Sequence, residues 1–215
     1  TRESNHLSVT QPLLADLELD GQPELVLSVV DVNSEDPQIM SIPLGSSAPT
    51  APNWEVILDR GTHPSDPAWA QLDASNTAVI ATTIDENSGN MWVWRLDGTT
   101  GSNSWGRVAV TGTDTDSDSP RLRLPSPVVT QLDSDAAPEM ILTIPTDSNG
   151  RTTGYGAKFV GMELTSTQEV FSFRAQNGYA DAQPLPIDTD DDGIHDRLCW
   201  VTWYSASSFN FDREG

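Results

Sequence analysis

Residues 188–196 read Asp-Thr-Asp-Asp-Asp-Gly-Ile-His-Asp, five carboxylates in nine positions. Like charges this close repel unless they are solvated or share a counter-ion. Their spacing favours sharing. With Asp188 as position 1, carboxylates fall at positions 1, 3, 5 and 9: Asp188, Asp190, Asp192 and Asp196. Alternate side chains of a tight loop face the same way, so the first three line one wall. Gly193 at position 6 permits a sharp turn that brings the carbonyl of Ile194 inward. A hard cation such as Ca²⁺ takes six to eight oxygens at about 2.3–2.6 Å from carboxylates, carbonyls and water. The loop offers that set, with Asp191 and His195 directed outward. The alternative is an acidic turn left in solvent.

Residues 16–24 follow the same grammar, with Asp16, Glu18, Asp20, Gly21, the carbonyl of Gln22, and Glu24. A third stretch keeps Asp133, Asp135 and Glu139 but has Gln131 at position 1 and Ala136 in place of the glycine, which predicts weaker binding. A fourth keeps Asp73, followed by Ser75, Asn76 and Val79, and is expected to bind no metal. The expected order of affinity is therefore 188–196, then 16–24, then 131–139. Asp114, Asp116 and Asp118 also alternate, but they lack the glycine and have Leu122 at position 9, so a solvated loop is expected.

Other chemistry has little to build on. There is no Gly-x-Ser-x-Gly elbow, His-Glu-x-x-His motif or phosphate loop. His6, His63 and His195 share no ligand spacing, which argues against zinc. The seven Trp residues, at 54, 69, 92, 94, 105, 200 and 203, read as packing residues on strands, with a carbohydrate surface as the alternative. Cys199 is the only cysteine, so no internal disulfide exists, and it reads as a small buried hydrophobe.

Charge narrows the partners. The 215 residues carry a net charge of −21, from 32 acidic and 11 basic side chains. That balance excludes the basic footprint that nucleic acid requires and disfavours anionic membrane surfaces. No apolar run approaches the length of a membrane span. The absence of an Asn-x-Ser/Thr acceptor points towards a prokaryotic source.

The acidic loops recur at a near-constant period. Residues 11–29 align without gaps on 126–144 and 183–201, and more loosely on 66–84. Pro12, Pro67, Pro127 and Pro184 anchor the copies. Each full period holds about four strand signals separated by Gly, Asn, Asp, Ser and Pro, and no stretch sustains a helical period. In the first period they are "PLLADL", "ELVLSVVD", "QIMSIPL" and "NWEVILD". Four strands per repeat of about 57 residues predict an all-β fold, a β-propeller whose blades bury their faces on their neighbours. The expected blades are 8–62, 63–122, 123–179 and an incomplete 180–215, with two strand signals where the earlier blades have four. That shortfall implies one segment of a larger ring of six to eight blades, completed by the remainder of the propeller or by another chain.

On these residues the chain resembles the FG-GAP or VCBS repeat family, the blades of integrin-α-type propellers. "DTDDDGIHDRLCWV" matches the DxDxDGxxD loop and the apolar strand after it, and "DLELDGQPELVL" matches with Glu substitutions. The Phe-Gly and Gly-Ala-Pro landmarks of the narrower integrin group are missing. "MWVWRLDGTTGSNSWGR" also resembles the strand–turn–strand unit of quinoprotein-like propellers. The first resemblance implies a secreted or cell-surface module stabilised by Ca²⁺, with a binding, adhesion or structural role and a carbohydrate or protein ligand. Two other functions are compatible with the same residues: the propeller domain of a secreted polysaccharide-active enzyme, and a structural subunit of a surface filament or assembly.

Overall fold

The computed structural model describes residues 6–8, 10–31, 34, 36–45, 51–61, 63–85, 90–103, 108–111, 124–146, 156–166, 168–175, 183–201 and 206–210. The described residues form β-strands and connecting turns, with no helix among them, and so none long and apolar enough to cross a membrane. Asp114, Asp116, Asp118, Trp105 and Trp203 lie outside them.

Four antiparallel sheets follow one another along the chain. The first contains β1 (His6–Ser8), β2 (Leu13–Ala15), β3 (Glu24–Asp31), β4 (Pro37–Pro43) and β5 (Trp54–Ile57). The second contains β6 (His63–Pro64), β7 (Ala68–Gln71), β8 (Thr77–Asp85), β9 (Asn90–Asp97) and β10 (Val108–Thr111). The third contains β11 (Val128–Thr130), β12 (Glu139–Thr146), β13 (Gly156–Glu163) and β14 (Glu169–Ala175). The fourth contains β15 (Leu185–Ile187), β16 (Arg197–Val201) and β17 (Ala206–Asn210), three strands among the described residues where two were expected.

The first two sheets have five strands but are only four rows wide. β1 and β2 both pair with β3 on one side, and β6 and β7 both pair with β8. In each, the first row is broken just before or at a proline, Pro12 or Pro67, because proline has no N–H to give the ladder. Side chains bridge the breaks. Thr10 Oγ1 donates to the Ser28 carbonyl at 3.0 Å, and the Thr82 N–H donates to Ser65 Oγ at 3.0 Å.

Successive sheets pack face to face, each pair enclosing an apolar core. Ala15, Leu17, Val26, Ile39, Trp54 and Leu58 of the first sheet and its loops meet Val79, Ala81, Trp94 and Leu96 of the second. Alternate residues of the same strands, Ala78, Ile80, Met91 and Val93, turn to the other face and meet Met140, Leu142, Ile144, Val160 and Met162 of the third sheet. Ile141 and Phe159 then face Leu198 and Trp200 of the fourth. β8 and β12 are covered on both faces, which explains why every residue of "AVIAT" and "MILTI" is buried and nearly all are apolar. Five of the tryptophans are accounted for here as packing residues: Trp54, Trp69, Trp92 and Trp94 at the first join, and Trp200 at the last.

Polar contacts fix the same joins. Trp54 Nε1 donates to the Gly98 carbonyl at 2.8 Å, and Thr77 Oγ1 donates to the Leu17 carbonyl at 2.5 Å. Arg95 reaches the Leu164 carbonyl. The His195 N–H donates to the Gln131 carbonyl at 2.8 Å, and its Nδ1 lies 2.8 Å from Thr130 Oγ1. His195, expected to face outward, therefore tethers the fourth loop to the third sheet and is half-buried.

Candidate metal centres

All four aligned loops occupy the same place, between the first and second rows of their sheets. Two of them share one backbone design. Asp188 Oδ1 accepts from the N–H groups of Asp190 at 3.2 Å and Asp191 at 2.8 Å, and its Oδ2 accepts from Gly193 at 2.7 Å. Asp192 Oδ1 accepts from the Ile194 N–H at 2.9 Å. In the first loop Asp16 accepts from Asp20 at 3.0 Å and Gly21 at 2.8 Å, while Asp20 accepts from Gln22 at 2.8 Å.

The backbone is left-handed at the same two positions in both loops. These are Leu19 (φ 56°) and Gly21 (φ 84°) in the first, and Asp191 (φ 61°) and Gly193 (φ 89°) in the fourth. Glycine takes this conformation freely, but leucine does so at a cost of about 1 kcal/mol or more. The loop architecture overrides that preference at Leu19.

The ninth residue has a role that the spacing did not disclose. Glu24 Oε2 accepts from the Leu17 N–H at 2.8 Å, and Glu139 Oε2 accepts from the Leu132 N–H at 2.5 Å. Asp196 accepts from the Thr189 N–H at 3.2 Å and from Thr189 Oγ1 at 2.5 Å. In each loop the last acid thus satisfies the N–H of position 2. The second loop has no acid there. It is one residue shorter, and the Leu72 N–H donates instead to the Asn76 carbonyl at 2.8 Å. Asp73 caps that turn, with Oδ1 accepting from the N–H groups of Ser75 and Asn76 and Oδ2 accepting from Asn76 Nδ2. The side-chain bond from Asn76, followed by the Ser75 N–H, holds its carboxyl below the usual range.

Two sets of acidic side chains come together among the described residues. Asp188, Asp190 and Asp192 bring carboxylate oxygens within 4.8 Å of one another, and so do Asp133, Glu139 and Glu163. The first loop does not gather Asp16, Glu18, Asp20 and Glu24 to that distance. Glu18 is exposed, and Asp16 and Glu24 are turned to backbone donors. In the third loop Gln131 Nε2 donates to the carbonyls of Asp133 and Asp135, and Asp135 accepts from the Ala137 N–H at 2.7 Å.

The charge states of the two sets differ. The Gly193 N–H, followed by those of Asp191, Asp190 and Asp192, lowers the pKa of Asp188, which favours the anion a cation needs. Glu139 is wholly buried and is pushed up to about 7, first by burial and then by the charges of Asp133, Glu163 and Asp135, against the opposing Leu132 N–H. Glu163 is raised by burial and by Asp135 and Asp133. Glu24 is raised by burial and by Glu18, Asp16 and Asp20, against the Leu17 N–H. Two unit charges 4.8 Å apart repel by about 3 kcal/mol at an effective dielectric near 20, so the set around Glu139 is strained as three anions.

Glu163 was not found from sequence. It closes β13, directly opposite Glu139 on β12. Neither strand signals this alone; the pairing register has to be known first.

No protein-family model matches the chain, and neither does a curated protein or a solved structure.

Proposed function

We propose that the chain is a cation-stabilised segment of a β-propeller of the FG-GAP or VCBS kind, secreted or surface-exposed, serving as a binding or structural module. The observation that carries this reading is the shared design of loops 16–24 and 188–196. Each has a first aspartate capping the turn, left-handed backbone at positions 4 and 6, and acids at 1, 3, 5 and 9. Two loops 172 residues apart in sequence that share one backbone turn and place acids at the same four positions fit a common ligand, although only the fourth brings three carboxylates together, and oxygen donors alone favour Ca²⁺. The propeller reading is supported by the face-to-face succession of sheets and by the adjacency of β2 to β7 and of β7 to β11, the first rows of consecutive sheets.

In this reading Asp188, Asp190, Asp192 and Asp196, with the Ile194 carbonyl, hold the tighter ion. Asp16, Glu18, Asp20 and Glu24, with the Gln22 carbonyl, hold a second. Exposed Leu14 and Ile57 on the first sheet and Leu185 on the fourth mark outer faces that the rest of the ring or another chain covers. The test is a calorimetric Ca²⁺ titration of the chain and of an Asp188→Asn, Asp190→Asn variant. The variant loses the tightest binding event, and Mg²⁺ displaces Ca²⁺ poorly from the parent. An unchanged titration would reject the assignment.

A further inference from the structure

We propose that Asp133 and Glu139 of the third loop, joined by Glu163 at the end of β13, form a binding site for a hard divalent cation of the Ca²⁺ type that the loop alone does not complete. It stands independently of the two loop sites. Two observations carry it. The first is the convergence of three carboxylates from three segments, with oxygens within 4.8 Å of one another. Two oxygens on opposite sides of one ion at about 2.4 Å are about 4.8 Å apart, so the set fits around a single Ca²⁺. The second is an orphaned atom. Glu139 is wholly buried, its Oε2 takes the Leu132 N–H, and its Oε1 has no hydrogen-bond partner. Buried carboxylate oxygens are normally satisfied, and one left without a partner on a residue that converges with two further carboxylates calls for a ligand.

The chemistry selects the ligand. The charges acting on Glu139 and Glu163 are those of carboxylates. A water would give Oε1 a donor but leave three negative charges together, and a proton would neutralise only one. A divalent cation satisfies the orphaned oxygen and offsets most of the charge. The absence of nitrogen and sulfur donors from the set selects a hard ion. Asp133 and Glu163 are half-buried, so water has access to complete the coordination. Glu163 also brings the acids of the set to three, in a loop whose first position is Gln131 rather than aspartate. In the first sheet Pro43 stands opposite Glu24, where Glu163 stands opposite Glu139, so the arrangement is not shared with that sheet.

The test counts bound Ca²⁺ by equilibrium dialysis in the parent chain, a Glu163→Gln variant, and a loop variant carrying Asp16→Asn, Asp188→Asn and Asp190→Asn. Glu163→Gln keeps the side chain's shape and removes a repelling charge, so folding is retained, as circular dichroism will verify. Asp133→Asn is the second probe if it is not. The expected result is one Ca²⁺ fewer in Glu163→Gln than in the parent, and one Ca²⁺ retained by the loop variant. If the loop substitutions leave the count unchanged while Glu163→Gln lowers it by one, the loop assignment fails and this site stands. An equal count in Glu163→Gln and the parent overturns the site, as does a folded loop variant that binds no Ca²⁺.

Discussion

Replacing Trp54 with alanine tests the way the sheets are joined. Trp54 is 8% exposed, its Nε1–H bonds the Gly98 carbonyl across the join, and its ring lies on Gly101. Gly101 has φ 68°, and a Cβ there would come within 2.7 Å of the indole, so the fit is close on both sides. Truncating a buried tryptophan costs about 3–5 kcal/mol, and stranding the carbonyl adds about 1 kcal/mol, for a total of about 4–6 kcal/mol. Spread over one cooperative unit of this size, that would lower the melting temperature by roughly 10–20 °C. Among the described residues each apolar core joins adjacent sheets, however, so the loss concentrates at the join between the first and second. Native-state hydrogen exchange will show reduced protection in β3 and β4 and nearly unchanged protection in β12 and β13. Trp54→Phe, which keeps a ring against Gly101 but loses the donor, costs about 1–2 kcal/mol. Equal loss of protection in all four sheets, or a cost below about 1 kcal/mol for Trp54→Ala, would refute the pairwise account.

Gly161 lies opposite Phe171, and a Cβ there would stand 2.3 Å from the ring. Gly161→Ala therefore destabilises the third sheet by about 1–3 kcal/mol, read as a lower urea midpoint. In chelator, the buried Glu139 makes the protein less stable as pH rises. Its folded value of about 7 lies above its unfolded value, so the favourable contribution is complete below about 4.5 and is lost as pH passes 7. From pH 5 to pH 8 the loss is about 3 kcal/mol, and Glu139→Gln flattens the profile measured by thermal melting. A Glu139→Gln profile as steep as the parent's would assign the effect to other groups.

The strands were legible because punctuation and apolar runs agree. "AVIATTI" and "EMILTI" are continuous because both faces are covered, whereas "ELVLSVVD" alternates between buried and half-buried positions over Glu24–Ser28, its sheet having one neighbour among the described residues. The short rows His6–Ser8 and His63–Pro64 were not legible, since two or three residues carry no period and belong to a row only through their pairing with β3 and β8. In the acidic loops, Asp188, Asp190 and Asp192 could be read from spacing because all three lie on one short segment. His195 could not, because its direction is set by Thr130 and Gln131 of another sheet. Glu163 depended on register for the same reason. Leu19 was hidden because its left-handed backbone contradicts its own preference and follows from the capping by Asp16.

The most direct measurement is differential scanning calorimetry of the chain in millimolar Ca²⁺ and in chelator at pH 7.5. An ion that binds the folded state alone stabilises it by about 2.7 kcal/mol per site at a hundredfold excess over its dissociation constant. The account predicts a clearly higher melting temperature in Ca²⁺, with the share belonging to the tightest site removed by Asp188→Asn, Asp190→Asn. Superimposable melting curves in Ca²⁺ and in chelator would contradict it and leave Asp188, Asp190 and Asp192 as a solvated acidic turn.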